Sequence, residues 1–214
     1  MLYKQIKDND YVVGGFLETD NTKKTNYLHK DIDTWLFGKM YWTKILEEHN
    51  IRFFPLAQNE DVAFNAWYFL YTESKLFLKD AIIYVWKDNN NSITRRNQGQ
   101  YSCYCLIGLC LNLKATYIEA VKDPTIERES LYENMAVHFI NVFLAYNELL
   151  NFTKRPDDLT NFWDAMKELY REVYLPFEPF FPKHLWLKTW AGMSFKPDYM
   201  IKIGFDDFMK EIKK

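Results

Sequence analysis

The sequence has little charge imbalance, few cysteines and no long apolar runs, and each shortage removes a class of function. Its 27 basic residues stand against 29 acidic ones, a formal charge of −2. A nucleic-acid binder whose affinity rests on a basic face needs a local excess of Lys and Arg, so no nucleic-acid partner is expected. The three cysteines, Cys103, Cys105 and Cys110, all fall in YSCYCLIGLCLNL. An odd number in an apolar run reads as reduced core thiols, which suits a cytoplasmic protein. Their spacing lacks the paired pattern of a structural zinc site, and no fourth soft ligand lies nearby. His29, His49, His138 and His184 keep no metal spacing with one another, so no metal site is assigned. LYKQIKDND after Met1 has no apolar core of signal-peptide type. Runs such as AIIYVW fall far short of a membrane span. Internal repeats and low-complexity tracts are also missing.

What is present is apolar and aromatic mass. Of 214 residues, 48% are hydrophobic and 18% aromatic, enough to build one domain or one domain with a substantial appendage. YVVGGFL (Tyr11–Leu17) is rich in β-branched and aromatic residues and predicts a buried strand. The polar ETDNTKKTNYLHKDID predicts a loop. Trp35 to Asn50 has apolar positions near helical spacing, which predicts a helix starting near Gly38. IRFFPL predicts a brief extended segment, Glu60 to Ser74 a helix, LFLKDAIIYVW a strand, and KDNNNSITRRNQGQ a polar loop. After about Tyr101 the pattern becomes helical. Leu131, Met135, His138, Val142, Tyr146 and Leu149 fall at three- and four-residue steps on one face, where His138 reads as a core residue. PDDLTNFWDAMKELYREVY repeats the pattern behind an Asp cap, and a short helix is expected around HLWLKTW. The expected fold class is α/β, with a mixed region over 1–100 and a helical region over 101–214.

Within this order, NIRFFPLAQNEDVAFNAWYFLY sets two adjacent acids, Glu60 and Asp61, between an extended segment and an aromatic helix. The plain explanation is a helix N-terminus. Asn59 would cap it, and two acids in the first turn gain from the macrodipole by about 0.3–1 kcal/mol.

Three features then line up: WLFGKMYWTKILEEHNIRFFP, NEDVAF, and a strand leading into YVWKDNNNSITRR. Together they resemble the acceptor-side half of family-2 glycosyltransferases, inverting enzymes of the GT-A fold, over roughly Asp10 to Arg96. The resemblance implies a partial GT-A-like mixed sheet with packed helices. It implies transfer of a sugar from a nucleotide-sugar to an acceptor hydroxyl on a carbohydrate. In that role Asp61 is the general base and Glu60 its helper or the structural cap. Such a base contributes typically 10²–10⁴-fold, and a rigid helix start fixes its geometry. Lys39 sits where the family often carries a lysine near the acceptor. Trp35 and Trp42 offer rings for a sugar, although aromatic helix residues are more often core. Arg95 and Arg96 are candidates for the leaving diphosphate, since guanidinium groups grip phosphate in a bidentate way; a solvated loop explains two adjacent arginines equally well.

The family's other half, with its nucleotide-binding strands and an Asp-x-Asp motif for Mg²⁺ or Mn²⁺, finds no match here. DND at Asp8 to Asp10 has the letters but precedes its strand, whereas ligands in open α/β sheets gather at the carboxyl ends of strands. The chain is therefore expected to begin inside a glycosyltransferase domain. On that basis it should lack a cofactor and be inactive alone, needing a second chain that carries the donor half. An edge left open in YVVGGFL or its neighbour should be covered by the C-terminal helices, a second copy or a partner. The alternative is a catalytically inactive glycosyltransferase-derived binding or structural module.

Overall fold

The computed structural model describes residues 6–20, 25–29, 35–56, 58–87, 103–152, 159–180 and 203–214. The loop carrying Arg95 and Arg96 and the HLWLKTW segment lie outside the described residues.

The first half is a four-stranded sheet organised around β1 (Tyr11–Asp20). One edge of β1 takes two short antiparallel partners: β2 (Thr25–His29) along Phe16–Asp20 and β3 (Lys39–Tyr41) along Tyr11–Val13. The other edge takes the long parallel β4 (Lys75–Lys87), with register shifts at Gly14 and Gly15. YVVGGFL and the apolar run after Lys75 are thus strands, as their composition predicts.

Two segments differ from that expectation. The polar stretch after Leu17 is not all loop, because β1 runs on to Asp20 and Thr25–His29 pairs back onto it. Pairing with a neighbour makes this strand despite its polar composition, which is how edge strands escape periodicity arguments. The segment from Trp35 is not one helix. Gly38 has φ +70° and its carbonyl accepts the Gly14 N–H at 2.9 Å, so the chain enters the β1 ladder as β3. The helix α1 (Thr43–Glu48) starts only after that. A Cβ at Gly38 would stand 2.9 Å from the Gly14 carbonyl, so both the φ and the space require glycine.

Helix α2 (Glu60–Tyr68) starts where the acidic pair predicts but ends before Ser74. A 3₁₀ turn, Phe69–Tyr71, leads out of it. The Asp10 carboxylate accepts the Glu73 and Ser74 amides at 2.7 and 2.9 Å, pinning the start of β4 to the start of β1. DND therefore ends in a structural staple. IRFFPL lies along α2, with Phe53 stacked on Phe64 and Phe54 on Trp67.

The second half is helical: α3 (Cys103–Ala120), α4 (Arg128–Phe152), α5 (Leu159–Leu169) and α6 (Phe205–Lys213). A π turn, Tyr170–Tyr174, follows α5 directly. Leu131, Met135, Val142, Tyr146 and Leu149 are buried as their spacing predicts. His138 Nδ1 lies 2.9 Å from the Asn134 carbonyl and 3.0 Å from the Tyr117 hydroxyl, and burial lowers its pKa. The three cysteines form no disulfide and are buried.

Helix α2 serves two cores. Its Phe64, Trp67 and Tyr68 pack with Tyr11, Val13 and Ile51 of the sheet side. Its Ala63 and Ala66 face the core formed by α3 to α6. The start of α2 is therefore fixed from both sides.

Candidate active site

The α2 N-terminus is built on an unusual turn. Asn59 adopts φ 67°, ψ 26°, the left-handed region that Asn tolerates better than most residues. Its side chain does not cap the helix as the sequence suggested. Instead its amide donates to the Cys105 carbonyl of α3 at 2.6 Å. The Asp61 carboxylate takes over the first turn, accepting the Val62 N–H at 2.9 Å.

The two acids diverge in environment. Glu60 is exposed, whereas Asp61 is half-buried. Burial pushes the Asp61 carboxyl up from 3.8 to about 6. The Val62 amide pulls against this shift, the Glu60 charge adds to it, and the Lys39 ammonium opposes it. A carboxylate poised near neutrality, at a helix start and within the field of a cation, is equipped to accept a proton.

Lys39 on β3 is thus brought into the electrostatic reach of Asp61, and its ammonium donates to the Trp35 carbonyl. Trp35 itself packs into an aromatic cluster with Phe16, Phe37 and Trp86 on the sheet, with its ring 5.3 Å from Phe16 and 6.4 Å from Trp86. Neither Trp35 nor Trp42 is on a helix. Trp42 sits at the cap position of α1, where its N–H donates to the Tyr68 hydroxyl at 2.9 Å. That hydroxyl donates in turn to the Asp10 carbonyl, and burial holds its pKa up at about 12. Lys39 stands within electrostatic reach of Asp61, and Glu60 adjoins Asp61 in the first turn of α2. Trp35 joins them through Lys39, and Trp42 belongs to the Tyr68–Asp10 pin. Arg95 and Arg96 lie outside the described residues.

Cys105 was read from sequence only as a core thiol, and Gly108 and Asn112 were not singled out; the three hold the turn at Gln58 and Asn59 from behind. The one available signal was Gly108, an isolated glycine inside an apolar helical run. Among the described residues no group of three His, Cys, Asp or Glu side chains converges as a metal site. A cavity of about 300 Å³ lies elsewhere, lined by Phe139, Tyr170, Glu178, Phe205 and Lys213. Its Glu178 is engaged by the Tyr170 hydroxyl at 2.9 Å and the Lys213 ammonium at 3.2 Å.

No protein-family model and no curated protein matches the sequence. Two structures of S. aureus TarS are among the solved structures that share the fold. One is S. aureus TarS 1–349 in complex with UDP-GlcNAc, 12% identical, at a TM-score of 0.57 over 86% of this chain and 53% of that one. The other is the same TarS segment alone, 12% identical, at a TM-score of 0.54 over 80% and 50%. The chain spans about half the length of the structures it matches, and its fold is glycosyltransferase-like.

Proposed function

We propose that this chain is the acceptor-side part of a glycosyltransferase, of family-2, inverting, GT-A type, and that Asp61 is its general base. The supporting observation is Asp61 itself: a half-buried carboxylate with its pKa raised to about 6, at a helix start beside Lys39, in a glycosyltransferase-like fold. In the reaction Asp61 takes the proton of an acceptor hydroxyl. The acceptor oxygen bonds to the anomeric carbon from the face opposite the leaving group. The bond from that carbon to the nucleoside diphosphate breaks, and the diphosphate departs with its electron pair. Lys39 steadies the Asp61 carboxylate before the transfer, and Glu60 keeps its proton affinity high. Trp35, Trp42, Arg95 and Arg96 are assigned to the acceptor and the leaving diphosphate by resemblance alone.

The donor half is assigned to a second chain, and a second copy of this one is the other candidate to cover the open sheet edge. The described residues offer no cluster for Mg²⁺ or Mn²⁺. Asp10, the best placed acid of DND, is committed to two backbone amides.

The test is a transfer assay on the full chain purified from its native cells with its partners, given UDP-, GDP- or dTDP-sugars and Mn²⁺. Nucleoside diphosphate release should rise with pH through about 6 and fall about 10²–10⁴-fold in Asp61→Asn. Unchanged turnover in that variant overturns the base assignment. Calorimetry on the chain alone should show no micromolar binding of these donors. Such binding, lost in Asp10→Ala, overturns the need for a donor half.

A further inference from the structure

Gly108 lies in the middle of α3, where glycine costs about 1 kcal/mol against alanine. The contact it makes accounts for that cost. A Cβ at this position would stand 2.2 Å from the Gln58 carbonyl oxygen and 2.9 Å from its nitrogen. The backbone just before α2 therefore rests directly on the bare backbone of α3. Around this contact, α3 supplies three polar grips. The Cys105 carbonyl accepts from the Asn59 side chain at 2.6 Å. The Cys105 thiol donates to the Gln58 side-chain oxygen. The fully buried Asn112 amide donates to the Gln58 carbonyl at 3.3 Å and to the Gly108 carbonyl at 2.9 Å. Two residues downstream of the gripped turn is Asp61.

We infer that Gly108, Cys105 and Asn112 form a positioning platform: helix α3 holds the Gln58–Asn59 turn in its left-handed conformation and thereby aims Asp61. This rests on the assignment of Asp61 as base, and it assigns the helical region a part in the chemistry through that one contact. A left-handed non-glycine residue persists only where its surroundings over-determine it, and here they are a close backbone approach and a set of convergent hydrogen bonds. A displacement of about 1 Å at such a point is enough to lower a rate about 10²-fold. It would also let water reach the Asp61 carboxylate.

The experiment follows the Asp61 side-chain carbon by NMR across pH in the full chain labelled at aspartate Cγ, with the signal identified by its loss in Asp61→Asn. In Gly108→Ala the midpoint should fall by about one unit from its raised value as the turn is pushed off α3 and the carboxylate hydrates. Asn59→Gly keeps the left-handed φ but deletes the bond to Cys105, and should move the midpoint the same way by less. Gly204→Ala is the control, because a Cβ there meets nothing within 4 Å; it should leave the titration unchanged. If Gly108→Ala does not fold, Asn59→Gly and Asn112→Ala decide the matter. An Asp61 titration unmoved in folded variants overturns the platform. Transfer that persists in Asp61→Asn while the titration shifts in Gly108→Ala overturns the base and leaves the platform standing.

Discussion

In the helical region Phe143, Phe162 and Phe208 are fully enclosed, whereas in the sheet region Phe53, Ile82, Tyr84 and Val85 remain 40–54% exposed. The helical region holds itself together by ring packing. Phe143 meets Phe205 and Phe208 edge-on at 5.3 and 5.2 Å, and Tyr146 stacks on Phe162 at 4.9 Å. The sheet region has ring clusters of its own, with Phe37 stacked on Tyr84 at 4.9 Å and Tyr41 edge-on to Tyr68 at 4.9 Å, and it adds point fixings: the Asp10 staple, the Tyr68 hydroxyl between Asp10 and Trp42, and the Gly38 entry into the ladder. Its strand β4 carries exposed apolar side chains, and no described strand pairs with its outer edge. On the proposed function, that edge rather than β1 is where a donor half would join, since an open apolar edge strand is a liability that proteins usually cover. On the proposed function the chemistry sits at the start of α2, where the two regions meet.

The largest effect should come from breaking the better-packed side. Phe143→Ala removes a fully buried ring between α4 and α6, and should cost about 3–5 kcal/mol in urea unfolding. A loss under about 1 kcal/mol would mean that this core collapses into the space and is no tighter than the sheet side.

A middling effect is expected from breaking a point fixing. Asp10→Ala deletes a carboxylate that accepts two amides, and should cost about 1–3 kcal/mol. Hydrogen exchange at the Glu73 and Ser74 amides should accelerate while α4 stays protected. Uniform acceleration across both regions would show that they unfold as one unit and that the contrast between them carries no local meaning.

How much of this was legible in sequence follows the same division. Strands β1 and β4 announce themselves because β-branched and aromatic residues crowd their runs, and α4 because its buried face keeps helical spacing over about five turns. Strands β2 and β3 do not, because polar and mixed segments become strand only by pairing with β1. Helix α6 carries a legible signal as well: Phe205, Phe208, Met209 and Ile212 keep helical spacing, with Asp206 and Asp207 in the first turn and Lys210 and Lys213 in the last. The acidic pair and Lys39 were visible as letters. The platform was not: Gly108 stands out as an isolated glycine in an apolar helical run, but its partner Gln58 lies fifty residues away and nothing local names it.

The smallest effect has the opposite sign and lies where the two regions meet. Asp61 has a folded pKa of about 6 against an ordinary value of 3.8, raised chiefly by burial. A raised carboxyl pKa means that the folded state holds the proton more tightly than the unfolded one. The stabilisation from that proton is complete below about pH 4, fades as pH rises through 6, and is absent at pH 8. At about 1.4 kcal/mol per unit, reduced because the group is only half-buried, ionised Asp61 costs the fold about 1–2 kcal/mol. Asparagine carries no such charge and can still accept the Val62 N–H. Asp61→Asn should therefore match the parent near pH 4 and exceed it by about 1–2 kcal/mol at pH 8, in urea unfolding measured at one-unit steps. A residue whose loss stabilises the fold while abolishing transfer is kept for chemistry rather than for structure. A pH-independent difference, or a less stable variant at pH 8, would mean that the carboxylate is at ease as a helix cap, and the case for Asp61 as the base would go with it.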